Sequence, residues 1–120
     1  MPKTLVIFFQ EEDGSVPVLE WLDNLSRKAQ NKCFVRIERL GELGFELRRP
    51  EADYLRDGIY ELRARFRKAN YRILYSFNDK DAVLLNGVTK ESVVDPKDID
   101  IAINRMHLFS NNPKKYSYIE

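Results

Sequence analysis

The sequence predicts an α+β domain in which a small, mainly antiparallel sheet of about four strands packs against an N-terminal helix pair and a C-terminal helix. Three observations lead there. The stretch Gly58 to Phe77, GIYELRARFRKANYRILYSF, alternates polar and apolar residues with period two, the pattern of half-buried strands joined by a short turn. Two continuous apolar runs, KTLVIFF at Lys3 to Phe9 and AVLLNGVT at Ala82 to Thr89, are rich in β-branched and aromatic residues and read as buried strands. Between and after them lie segments with helical spacing of apolar residues.

In chain order, Lys3–Phe9 is the first strand, and its unbroken apolar character places it beside the hairpin. Val16-Pro17 opens a helix, with proline in the first turn where its missing N–H is harmless and Ser15 as the expected cap. Val18, Leu19, Leu22 and Leu25 give its apolar side, together with Trp21. A longer helix follows over about Lys28–Leu43, with Ala29, Cys33, Ile37 and Leu40 on one stripe and Arg36, Glu38, Arg39 and Glu42 on the wet side. Gly41 and Gly44 offer its stop. The two helices are expected to form an antiparallel pair covering one sheet face. Phe45–Arg56 reads as a loop, and Lys68-Ala69-Asn70 as the turn of the hairpin. In its first strand Tyr60, Leu62, Ala64 and Phe66 would face the core, and Glu61, Arg63, Arg65 and Arg67 the solvent. Asp79-Lys80-Asp81 is a tight turn before the strand 82–89, and Gly87 allows a bulge or a close approach. Asp95 caps a last helix over Pro96–Phe109, carried by Ile99, Ala102, Ile103 and Met106. The expected organisation is one domain over residues 1–109 and a loose polar tail over 110–120.

Charge is unevenly placed. The net value is only +1, yet Met1 to Ser26 carries one lysine against five acidic residues. Arg27 to Arg56 carries eight basic against five acidic residues, and Asp57 to Phe77 five against two. A basic middle between acidic ends implies a local field rather than a general one. The longest apolar run, Leu5 to Phe9, is too short to span a bilayer, and no secretory signal pattern opens the chain. One cysteine, Cys33, cannot form an internal disulfide, so a reducing, cytoplasmic location is expected.

Several chemistries lack their residues. With His107 as the single histidine and Cys33 as the single cysteine, there is no zinc-binding set, and no glycine-rich phosphate loop occurs. His107 near a helix end reads as a surface or packing residue, and Cys33 and Trp21 read as core. The remaining feature is the basic hairpin. Arg63 and Arg65 leave the same face of one strand, Arg72 can reach them from the next, and Lys90 could close the cluster. Such a group binds phosphodiester oxygens by charge-assisted bonds and can stabilise a pentacoordinate phosphorane, while RNA brings its own 2′-OH nucleophile. A solvated basic face, or a docking site for an acidic partner, explains the same residues.

The segments YELRARFRKANYRILYSF, LLNGVTK and DPKDIDIAINR, in this order of elements, resemble the RelE/ParE toxin superfamily, most nearly its HigB-like, phage Gp49-like branch. The resemblance runs from Lys3 to about Phe109. It implies the toxin of a type II toxin–antitoxin system, an endoribonuclease that cuts mRNA on the ribosome and inhibits translation without metal or other cofactor. The 2′-OH attacks, and a 2′,3′-cyclic phosphate results. The implied partners are the ribosome, mRNA and a cognate antitoxin, usually a helix-turn-helix protein from an adjacent gene, with no membrane. By position, Arg63, Arg72 and Lys90 are the expected catalytic residues, and Arg65, Arg67 and Lys68 the substrate-binding ones. The alternatives are a non-catalytic module of the same fold that holds an antitoxin or nucleic acid, or a ParE-like gyrase inhibitor.

Overall fold

The computed structural model describes residues 4–90 and 93–119, with Lys90 described as backbone only. Strand β1 (Val6–Phe9) leads through a turn to helix α1 (Pro17–Asp23) and helix α2 (Arg27–Leu43). A single 3-10 turn at Gly44–Glu46 precedes β2 (Ala52–Arg56), β3 (Ile59–Phe66), β4 (Ala69–Asn78) and β5 (Asp81–Lys90). Helix α3 (Pro96–Asn111) and a short β6 (Ser117–Tyr118) follow. The strands form one six-stranded sheet in the order β2-β3-β4-β5-β1-β6.

The α+β class holds, with six strands where about four were expected. One addition is β2, read as loop from sequence. It pairs antiparallel with β3 through a two-residue turn, Asp57-Gly58, in which both residues have positive φ (52° and 87°). That is the geometry a type I′ hairpin turn demands, and glycine meets it without steric cost. The other addition is β6. Residues 110–120 are not a loose tail throughout: Tyr118 pairs with Phe8, and the Tyr116 ring stacks on Phe9 at 5.6 Å. The β3–β4 turn is also tighter than expected, because Phe66 pairs with Ala69 and leaves only Arg67 and Lys68 between the strands. The sheet is mixed, since β1 runs parallel to β5 with Val6 opposite Ala82. Lys3, the expected start of the first strand, lies outside the described residues.

Of the two caps expected from sequence Asp95 holds and Ser15 does not, and α2 is capped by Ser26, a residue not expected as a cap. Ser26 Oγ accepts the Ala29 N–H at 3.2 Å, and Asp95 Oδ1 accepts the Lys97 N–H at 3.1 Å. For α1 the cap position is Val16, without a side-chain bond, whereas Ser15 turns back to Asp13. The helices do not form the expected pair packed on each other. The contacts of α1 fall chiefly on β5 and those of α2 on β3, so both lie side by side on the sheet. The core of this face contains Leu22, Cys33, Leu40, Leu62, Ile73 and Leu84.

The opposite face is not a bare ladder of arginines either. Ile7, Phe9, Ile59, Leu74, Val83 and Leu85 form a second core with Ile99, Ala102 and Phe109 of α3. The sheet is therefore covered on both sides, with α3 lying over β5, β4 and β3. Strand alternation puts Glu61, Arg63 and Arg65 on that side with Ile59.

Candidate functional site

The hairpin register builds the site in rows. Glu61 stands opposite Leu74, Arg63 opposite Arg72, and Arg65 opposite Asn70. On the next strand Asn86, Val88 and Lys90 continue those three rows. The sheet thus brings Arg63 and Arg72 together as direct cross-strand neighbours. The backbone of Lys90 joins the row of Arg65, and its side chain lies outside the described residues.

The residue that organises this face is Glu61, read from sequence as solvent-facing and in fact 1% exposed. Its Oε2 accepts Arg63 Nε at 2.8 Å, and its Oε1 accepts Arg72 Nη1 at 2.8 Å. A carboxylate out of water is tolerated only when paired and hydrogen-bonded, and two guanidinium groups supply that here. The pairing extends outward. Asp53 Oδ2 takes Arg63 Nη2 at 3.1 Å and Arg49 Nη2 at 2.8 Å. Next to them Glu51 holds Arg36 at 2.9 Å and Arg39 at 3.0 Å, and Arg36 Nε donates to the Arg63 carbonyl at 2.8 Å. Glu51, Asp53, Arg49, Arg36 and Arg39 were not among the sequence candidates. Their nearest sequence signal is the Arg48-Arg49-Pro50 step, which needs β2 to bring it against the hairpin.

The cluster keeps an excess of positive charge. Arg49, Arg63 and Arg72 meet Asp53 and Glu61, and among the described residues the buried Arg72 Nε has no hydrogen-bond partner. A cleft of about 250 Å³ opens beside it, lined by Arg36, Pro50, Arg63, Ala64, Arg65, Asn70, Tyr71 and Arg72. At the turn Arg65, Arg67 and Lys68 are exposed, and among the described residues none of them pairs with a carboxylate. Arg65 Nε donates to the Arg67 carbonyl at 3.3 Å, and the Arg67 guanidinium sits 5.2 Å from the Phe66 ring. Fixed, underneutralised guanidinium groups beside exposed surface cations can seat a phosphodiester.

The ion pairs shift their carboxylates. Arg39 holds Glu51 below its ordinary 4.5, and Arg49 holds Asp53 below its ordinary 3.8. A carboxylate with a depressed folded-state pKa adds stability above its unfolded value and loses it as pH falls through the folded one. The urea midpoint should therefore stay level from neutral pH to about 5 and decline below that. In a Glu51→Gln variant the midpoint should start lower and decline less. An unchanged acid slope in that variant would remove Glu51 from this account.

His107 is exposed on α3, nine residues beyond Asp98, the residue whose carbonyl accepts Asn86 Nδ2 at 3.0 Å. At 1.5 Å rise per residue it stands about 13 Å farther along the axis, well away from the arginine rows. Cys33 is core, and burial pushes its thiol up to about 11, so it is unreactive at neutral pH. Among the described residues no cluster of His, Cys, Asp or Glu could hold a metal ion, and no helix is long and apolar enough to cross a membrane.

The sequence profile of the phage-derived Gp49-like protein family matches residues 20–107, a span from α1 to α3 that includes the whole arginine cluster. The chain belongs to the Gp49-like family. The Gp49-like family is related to toxin–antitoxin systems. No curated protein matches this Gp49-like chain at a significant level.

Proposed function

We propose that this Gp49-like protein is the toxin of a type II toxin–antitoxin pair, a metal-independent endoribonuclease that cuts mRNA on the ribosome and inhibits translation in the cytoplasm. The observation that carries this reading is the Arg63–Arg72 pair, fixed across β3 and β4 by a buried carboxylate at the mouth of a cleft. Arg65, Arg67 and Lys68 bind flanking phosphates, and Arg63 and Arg72 face the scissile one. As the 2′-oxygen bonds to phosphorus its proton passes to water, the bond from phosphorus to the 5′-oxygen breaks, and the leaving 5′-oxygen takes a proton from water. The products are a 2′,3′-cyclic phosphate and a 5′-hydroxyl end. The guanidinium groups stabilise the added charge of the phosphorane, and removing one such preorganised donor costs about 10²–10³ in rate. Lys90, whose backbone lies one row along, is the third catalytic residue of this proposal. The partner is an antitoxin, a helix-turn-helix protein encoded beside the toxin.

Expression from an inducible promoter tests the proposal. Wild type should arrest growth and leave cut mRNA. Arg72→Ala should relieve arrest, and Arg65→Glu should weaken it without loss of fold. Arg72→Lys, which keeps a charge on Glu61, separates lost chemistry from lost stability. Arrest that persists unchanged in Arg63→Ala and Arg72→Ala would remove these residues from the mechanism.

A second reading is a module that binds an antitoxin or nucleic acid without cutting. One observation favours it: Glu61, the carboxylate at the centre of the cluster, is sealed from solvent with both oxygens engaged by guanidinium groups, so a substrate hydroxyl does not reach it. Normal growth with retained oligonucleotide binding would support it. Arrest with intact mRNA and blocked supercoiling would instead indicate a gyrase inhibitor.

A further inference from the structure

We infer that the groove along the free edge of β2 is a base-stacking subsite for single-stranded RNA, reached from the basic hairpin face round that edge. The inference rests on the reading that this face binds RNA, and adds where the bases go. The groove has a volume of about 540 Å³ and lies between the 3-10 turn at Gly44–Glu46 and strands β2 and β3. Its walls include two large aromatic side chains that are half exposed, Phe45 at 51% and Tyr54 at 52%. Both are braced from behind. Tyr54 meets Tyr60 edge-on at 5.0 Å, Tyr60 stacks on the buried Tyr75 at 5.3 Å, and Phe45 lies 3.9 Å from Phe77. Rings held this way keep a fixed orientation while their outer faces stay open, so little conformational entropy is lost when a base stacks on them.

Charge fits the same occupant. Arg48 and Arg49 stand at the rim. Arg48 is tethered by its Nη1 to the carbonyls of Phe45 and Leu47, and Arg49 is 75% exposed. Arg49 shares Asp53 with Arg63, so a run of guanidinium groups leads from the cleft at Arg72 across β3 to the β2 edge. There Arg49 borders the groove, and Tyr54 and Tyr60 lie round that edge on the opposite sheet face. A nucleic-acid strand needs this alternation of cationic path and ring platform, since every base has a π-face and every linkage a phosphate. The edge is less suited to adding a peptide strand. Asp53 Oδ1 accepts the Tyr54 N–H at 3.0 Å, and the Ala52 N–H already donates to the Arg48 carbonyl at 3.1 Å.

A short 2′-O-methyl oligoadenosine, which cannot be cut by 2′-OH attack, is the probe, and fluorescence anisotropy on the full chain is the measurement. Tyr54→Ala and Phe45→Ala should each weaken binding roughly tenfold without changing the salt slope, while Tyr54→Trp should retain affinity. Arg65→Ala should lower the slope instead. Wild type should bind an abasic analogue about as weakly as Tyr54→Ala binds the full oligomer. Unchanged affinity in Tyr54→Ala and Phe45→Ala, with loss in Arg65→Ala, would overturn the subsite and leave the basic-face reading standing. No binding of the probe by wild type would overturn both. If Tyr54→Ala keeps oligomer affinity but loses its antitoxin, the groove belongs to the protein partner and the inference fails.

Discussion

Replacing Glu61 with leucine should cost about 3–5 kcal/mol, the range for removing one partner of a buried charge pair. The side chain is sealed from solvent, and its loss leaves Arg72, itself only 15% exposed, without a counter-charge. The fall in the denaturant midpoint measures this. A double variant, Glu61→Leu with Arg72→Met, should recover much of the loss, because an apolar pair can replace a buried ion pair at little cost. Glu61→Gln separates stability from binding. It keeps the shape but removes the negative charge and leaves one acceptor for two guanidinium donors, its amide NH2 facing the other, so the folded state weakens while the local potential rises. If the face binds RNA, Glu61→Gln should bind it more tightly at low salt even as its melting temperature drops. A Glu61→Leu variant as stable as wild type would show that the arginines find other partners, and the organising role assigned to Glu61 would be lost.

Gly87→Ala should be nearly as damaging, for a different reason. An added Cβ would stand 2.1 Å from Trp21 Cδ2 and 2.2 Å from Cε3, so the indole lies directly on the glycine. Overpacking of a filled core costs about 1–3 kcal/mol, and a ring cannot yield as a flexible chain end could. Displacing Trp21 would also break its Nε1 bond to Thr89 Oγ1 (3.2 Å) and its edge contact with Tyr71. Trp21 is the single tryptophan, so its fluorescence reports the change directly: red-shifted emission together with a lower midpoint. Trp21→Leu combined with Gly87→Ala should lose less than the two single losses added together, since neighbours that share space are not additive. Strict additivity would mean that the contact carries no energy.

Local chemistry in the sequence was enough to find the helices, their stops and the central hairpin. Period two correctly put Arg63 and Arg65 on one side, and the register then placed Arg72 opposite Arg63. Burial on that side was not legible, because nothing local distinguishes Glu61 from its arginine neighbours. Only α3 packing over Ile59 and Leu74, and β2 bringing Asp53 alongside, make that position dry. Strand β2 had a signal that could have found it, the Asp57-Gly58 pair favoured in type I′ turns. Strand β6 had none. Two residues are too short for a period, and its pairing depends on the edge of β1 being free. The aromatic groove was likewise hidden, since Phe45, Tyr54 and Tyr60 converge only once β2 is a strand.

The parallel pairing of β1 with β5 has a consequence for how the molecule assembles. Val6 cannot meet Ala82 until every element between them has been made. Contacts so distant in sequence close slowly, and parallel pairing is among the slowest kinds. During synthesis the apolar strand VIFF therefore waits without its neighbour while the α1, α2 and hairpin segments emerge. For that interval it is exposed to aggregation, and to chaperones that recognise unpaired apolar strands. The interval ends when β5 docks between β4 and β1, and the same event lays Gly87 under Trp21 and extends the arginine rows by Val88 and Lys90. The basic face is thus completed at a late step of folding, and a chain halted before β5 would carry the arginines without the wall that arranges them.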